Sequence, residues 1–176
     1  MNSGHLILGE LVDFITGETI EDNLDERYRQ KLARLLVEKK DYNKNEIKSR
    51  CELPVSAGAN RAVVKIDFLI TLSDKICMII KYSPGSLVTR HRPVLAGSRL
   101  VAPYQVPIAV ATNGEDADIL DGYTSEVISS GFESIPDRQQ LAKLVADIQF
   151  EHISSRRAEM ESRIIYAFEI DGSCPL

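Results

Sequence analysis

No stretch of this sequence is apolar for long enough to cross a bilayer, which takes about 20 residues. The start, MNSGHLILGELVDF, has acids too early and no basic leader, so a secretory signal is not expected there. Cysteine is scarce: Cys51, Cys77 and Cys174 are odd in number and show no CxxC spacing. That argues against a disulfide framework or a zinc site and for a reducing, cytoplasmic setting. Cys77 lies in an apolar run and reads as a small core residue. The histidines His5, His91 and His152 are scattered, with no HxH or HExxH pattern, so His91 between Arg90 and Arg92 reads as a surface or phosphate-contact residue. No GxxxxGKS/T loop occurs, and "SPGS" lacks the spacing and the lysine of a phosphate-cradling loop, so an ATP-driven motor is not expected in these residues. There is also no internal repeat and no low-complexity linker. What is present is ordinary globular material, 44% hydrophobic and 27% charged over 176 residues, enough for one domain with a sizeable core.

Acidic residues are missing from one region. The net charge of -5 conceals ten Lys/Arg against four Asp/Glu between Asn43 and Gly114, which is +6 and leaves -11 for the rest. From Lys75 to Gly114 there are five basic residues and no acid. A stretch of this kind suits a phosphate-facing patch, because nucleic-acid contact depends on local charge; the plain alternative is one basic face of a mixed surface. The overall acidity argues against non-specific coating of DNA.

The hydropathy pattern predicts an α/β domain. "VDFITGETI" reads as two short extended pieces around Thr16-Gly17. Asp22 or Asn23 caps a helix over 24–40, with Leu24, Tyr28, Leu32, Leu35 and Leu36 at helical spacing. "IKSRCELPV", "RAVVKIDFLITL" and "KICMIIKY", separated by short turns, predict an antiparallel meander. A helix over 93–101 starts at Pro93. "VPIAVAT" is a further buried strand, placed by a crossover in the same sheet. "ADILD" and "SEVIS" make a hairpin, and two terminal helices serve as a core cover or an oligomer contact. The expected units are an N-terminal extended segment over 1–22, a core domain over 23–135 and a helical extension over 136–176.

Two residues break this apolar pattern: Asp67 inside "VVKIDFLITL" and Lys81 at the end of "KICMIIK". Burying either charge without a partner is costly, so both need an explanation. Hairpin pairing about Ser73-Asp74 puts Asp67 opposite a residue near Lys81, and Glu26 lies on a helix that should cross the sheet. Two carboxylates can hold a hard divalent cation such as Mg2+, and the lysine can position a water or offset developing charge. A plain cross-strand salt bridge fits the same spacing.

"DERYRQKLARLLVEKKDY", "KIDFLITLSDKICMIIK" and "APYQVPIAVATNGEDADILD", in that order over roughly Asp13 to Asp121, resemble the PD-(D/E)xK nucleases. More narrowly, they resemble the N-terminal domain of type I restriction enzyme R subunits. The resemblance implies a restriction-endonuclease-like three-layer core with a mixed sheet flanked by helices. It implies Asp67 as the strand acid that binds metal, Lys81 as catalytic lysine and Glu26 as first-helix acid, with the Ile80 carbonyl as a further metal ligand. The family pattern has an acid two residues before the lysine, where this chain has Ile79. Where restriction subunits often carry a Gln and a Tyr, this chain has Arg92 and Ala96. Loss of an acid predicts weak or absent Mg2+ binding, tightened by Ile79→Glu; migration of the acid to Glu52 on the neighbouring strand is the alternative.

The expected function is nucleic-acid binding, most readily of DNA, through Lys81, Arg90, Arg92 and Arg99 on one face, with a degraded metal site and weak or no cleavage. The alternatives are an active Mg2+-dependent endodeoxyribonuclease with a migrated acid, and a non-catalytic structural or interaction module. A homo-oligomer through the C-terminal helices is compatible with each.

Overall fold

The computed structural model describes residues 6–171; His5 and Cys174 lie outside them. Strands β1 (Gly9–Val12) and β2 (Thr19–Asp22) pair antiparallel as a small hairpin. The Asp13 carboxylate organises its turn by accepting hydrogen bonds from the backbone N–H groups of Ile15 and Thr16. Asn23 then caps α1 (Leu24–Arg34) by accepting from the Glu26 N–H, with Asp25 and Glu26 in the first turn, where the helix dipole favours acids. A π-helical turn, Leu35–Lys39, completes the element. Leu24, expected on the apolar face, is exposed; Leu32, Ala33 and Leu36 carry the buried face.

Strands β3 (Ile47–Ala57), β4 (Asn60–Leu72) and β5 (Lys75–Tyr82) form the antiparallel meander. Ser73 and Asp74 both have positive φ, the geometry of a tight turn that matches the twist of its flanking strands. Helix α2 (Val88–Ser98) crosses to β6 (Ile108–Thr112), which pairs parallel to β5. Strands β7 (Ala117–Asp121) and β8 (Val127–Ser130) complete the six-stranded sheet in the order β3-β4-β5-β6-β7-β8. Helices α3 (Arg138–Val145) and α4 (Ser155–Tyr166) follow, and a second π-helical turn, Ala167–Asp171, ends the described chain.

Helix α2 differs from expectation. It begins at Val88 and contains Pro93 rather than starting there. The proline gives up one intrahelical hydrogen bond. The continuous burial of the half from Pro93 to Ser98 against the sheet outweighs that loss.

The sheet separates two apolar layers. On one side Phe68, Ile70, Met78, Ile80 and Val110 pack against Leu32 of α1 and Leu36 of the π-helical turn after it. On the other, Ile66, Leu69, Ile79 and Ala109 pack against Leu95 of α2 and Ile165 of α4. This is the mixed three-layer core expected of a restriction-endonuclease-like fold. Strand β5 is covered on both faces, which explains its unbroken apolar run.

One irregularity positions the site. Along a regular strand, residues two apart share a face. Yet Ile66 belongs to the α2–α4 layer and Phe68 to the α1 layer. The exchange falls on Asp67, where the β3–β4 pairing skips from Ser49–Phe68 to Cys51–Ile66 and Arg50 has φ +51. The pleat is interrupted at Arg50 and Asp67, so both side chains leave the regular alternation.

Candidate functional site

Asp67 and Lys81 sit on the paired strands β4 and β5, one residue beyond the matched pair Phe68–Ile80. Both line one cavity of about 290 Å3, together with Asp25, Arg29, Lys65 and Glu169. A neighbouring cavity of about 260 Å3 adds Glu26 and Arg50 and shares Asp67 and Arg29. Glu26, Asp67 and Lys81 are therefore gathered at one end of β5, each nearly buried.

Their partners explain how charge is tolerated there. One Asp67 oxygen accepts from Arg29 Nε at 2.5 Å and the other from the Tyr82 backbone N–H at 2.7 Å. Tyr82 Oη donates to Asp25 at 2.9 Å, and the Arg29 guanidinium lies 5.2 Å above the Tyr82 ring. Arg29 Nη1 also lies 3.6 Å from Glu26. Glu26 in turn pairs with Arg50, which reaches Asp13 at 2.5 Å. The result is an alternating chain, Asp13–Arg50–Glu26–Arg29–Asp67, tying the hairpin, β3, α1 and β4 together. Burial alone would push the Asp13 carboxyl up, but the Thr16 N–H, Arg50 and Gln30 outweigh it and hold it at about 2. Burial likewise opposes the charge on Arg29, and the adjacent Asp67 outweighs it and raises Arg29 above its ordinary value. Lys81 Nζ donates to the Lys65 carbonyl at 3.1 Å and pairs with Glu169 at 3.1 Å.

This donor set does not suit a hard divalent cation. Both Asp67 oxygens are engaged, and a guanidinium lies between Asp67 and Glu26. Ile79 is fully buried, with its Cδ1 3.3 Å from where a Cβ on Gly97 of α2 would stand. Among the described residues, no three carboxylate, histidine or cysteine groups converge as a metal site. Ile80 stands within the ladder between Phe68 and Val110. Glu52 is exposed opposite Lys65 on β3 and lines neither cavity.

The basic residues of α2 and of its C-cap, Arg99, are not gathered beside Lys81. Arg99 is buried, with its guanidinium on Glu161 at 3.1 Å and on Gln105, Ser125 and the Gly122 carbonyl. Arg92 Nη1 lies 2.8 Å from the same Glu161, too poorly angled for a hydrogen bond. Arg90 is half-buried and donates to the Pro84 carbonyl. The expectation of one face shared by Lys81, Arg90, Arg92 and Arg99 is corrected on this point: Glu161 of α4 draws Arg92 and Arg99 to itself. His91 lies 2.7 Å from Asp118, whose carboxyl stays below its ordinary value because Ser130 and His91 outweigh the effect of burial.

Several residues around the site were not anticipated. Lys65 is exposed and lines both cavities; strand alternation did not point to it, because the pleat is interrupted at Asp67. Arg29 is three residues from Glu26, a helical neighbour spacing that could have pointed to it. Asp13 and Glu169 carried no such signal, being far from the site in sequence.

Residues 24–136 match the family model described as the type I restriction enzyme R protein N terminus (HSDR_N). The chain belongs to this family. No curated protein and no solved structure matches it significantly. The HSDR_N match runs from the start of α1 to just past β8, so it contains Glu26, Asp67 and Lys81 but neither Asp13 nor the Glu161 and Glu169 of the C-terminal helix and turn. No helix among the described residues is long and apolar enough to cross a membrane.

Proposed function

We propose that this HSDR_N domain binds nucleic acid, with DNA as its principal partner, and cleaves it weakly or not at all because its metal site is degraded. The observation that carries the reading is the Arg29 guanidinium lodged between Asp67 and Glu26, with Ile79 in the core where the family pattern has an acid. A metal-assisted hydrolysis needs a cation to polarise the phosphate and activate water. Here the positive charge at the cavity comes from the chain itself, through Arg29, Lys65 and Lys81. Such groups attract and position a phosphate without activating a nucleophile. Mg2+ binding is accordingly weak or absent.

Fluorescence anisotropy with short duplex and single-stranded oligonucleotides tests the reading across a salt series, in EDTA and in Mg2+. Binding should be the same in both and fall steeply with salt, with a log–log slope of about -0.9 per duplex contact or about -0.7 per single-strand contact. Little or no product should form. Cleavage in Mg2+, abolished by both Asp67→Ala and Lys81→Ala, would instead establish an active endodeoxyribonuclease with a migrated acid. Glu169, beside Lys81 in the same cavity, is the observation that favours this second reading. No binding even at low salt would leave a structural or interaction module.

A further inference from the structure

Lys81 is nearly buried and yet faces a cavity, and its only carboxylate partner among the described residues is Glu169. Glu169 comes from the π-helical turn Ala167–Asp171, beyond the segment that matches the family. Its Oε2 lies 3.1 Å from Lys81 Nζ, and its Oε1 is buried with no hydrogen-bond partner among the described residues. A charged acceptor left half-satisfied in a buried place is costly, so this contact is open to replacement by a better-satisfied anion. The turn is also a separable piece. Helix α4 is anchored ahead of it by Ile165 and Tyr166 in the apolar layer, whereas Ile170 at the cavity edge is largely exposed. The turn can therefore leave the cavity without unpacking the helix, and π-helical geometry is uncommon beside α-helix, occurring mostly as single turns.

We infer that Glu169 is an intramolecular stand-in for phosphate: the C-terminal turn occupies the Lys81 anion site, and a phosphodiester must displace it to bind. The inference rests on the nucleic-acid reading for the identity of the ligand, but not for the latch itself. A phosphate brings several acceptor oxygens to Lys81, and the adjoining Lys65 and Arg29 add charge that the single Glu169 carboxylate does not engage.

The test uses the full chain and two variants, Glu169→Gln, which keeps the shape and removes the charge, and Glu169→Asp, which keeps the charge and shortens the reach. The first readout needs no nucleic acid: the rate at which acetyl N-hydroxysuccinimide modifies the Lys81 amine, followed by peptide mass spectrometry, with and without inorganic phosphate. Both variants should expose Lys81, with labelling faster by about 3- to 10-fold and slowed again by phosphate. The second readout is oligonucleotide affinity by anisotropy, which should rise by a similar factor in Glu169→Gln. Unchanged Lys81 labelling in both variants overturns the latch, whatever the oligonucleotide affinity. Faster labelling that phosphate does not slow overturns the anion-site assignment. Faster labelling reversed by phosphate, with no oligonucleotide bound by any of the three proteins, upholds the latch and refutes the nucleic-acid reading.

Discussion

Around Glu161 three arginines converge on one carboxylate, whereas around Asp67 three carboxylates share two arginines. The two networks use the same chemistry in different surroundings. The Glu161 side chain is 1% exposed and that of Arg99 6%, with Arg92 and Arg157 reaching the carboxylate from the surface at 39% and 49%; the Arg29 and Arg50 side chains in the other network are both 28% exposed, so that network has no fully buried arginine. At Glu161, burial raises the carboxyl, but Arg92, Arg157 and Arg99 outweigh it and hold it below its ordinary value. Burial also lowers Arg99, and the neighbouring Arg157 and Arg92 add to that. The buried Glu161–Arg99 pair joins α4 to the end of α2 and to the Gly122 turn. At Asp67 the arginines border two cavities, so water or a ligand can exchange with their partners. The difference teaches that an arginine–carboxylate pair is not by itself a sign of a site: burial of both partners, as in Glu161–Arg99, separates an ionic clamp from an exchangeable pair.

The largest effect should come from breaking the Glu161 network. Glu161→Ala leaves Arg99 buried without its carboxylate and should lower stability by about 3–5 kcal/mol in urea denaturation. Asp67→Ala should lose less, about 2 kcal/mol: the buried Tyr82 N–H loses its acceptor, but Arg29 retains Glu26 and partial solvation. Equal losses would erase the distinction between the two networks. Next in size is Ile79→Glu. The position faces the apolar layer with Ile66 and Ile165, so the new acid should cost about 3 kcal/mol and bring no gain in Mg2+ affinity by calorimetry. This reverses the tightening expected from the sequence. The smallest effect belongs to acid unfolding. The folded-state carboxyl of Asp13 is lowered from 3.8 to about 2, so its contribution is complete above 3.8 and is lost as pH falls toward 2. After allowance for screening this amounts to about 1 kcal/mol, and Asp13→Asn should flatten the stability curve in that window alone.

Much of the fold was legible because it rests on periodicity. The meander, the parallel β6, the β7–β8 hairpin and the capped first helix follow from apolar runs, turns and a single Asn cap. The pairing of Asp67 with Lys81 on adjoining strands was legible for the same reason, since the short turn at Ser73-Asp74 constrains the register. The α2 boundary was misplaced because Pro93 resembles a helix start, and only packing reveals that the turn before it is helical as well. The expected basic face was only partly present, because counting charges along the chain is blind to where the opposite charges fold.

By itself the sequence determined the kind of domain, the strands that carry Asp67 and Lys81, and the absence of an acid at Ile79. These depend on local spacing, and local spacing survives folding. Only the tertiary structure decided which charges neutralise which. Glu161 lies 62 residues beyond Arg99, Asp13 lies 37 before Arg50, and Glu169 arrives from the far end of the described chain to meet Lys81. A buried charge must find a partner somewhere, but the sequence does not say where. The partner is chosen when helices and strands distant in the chain pack together, and that choice separates a cation held in the core from one available to a ligand.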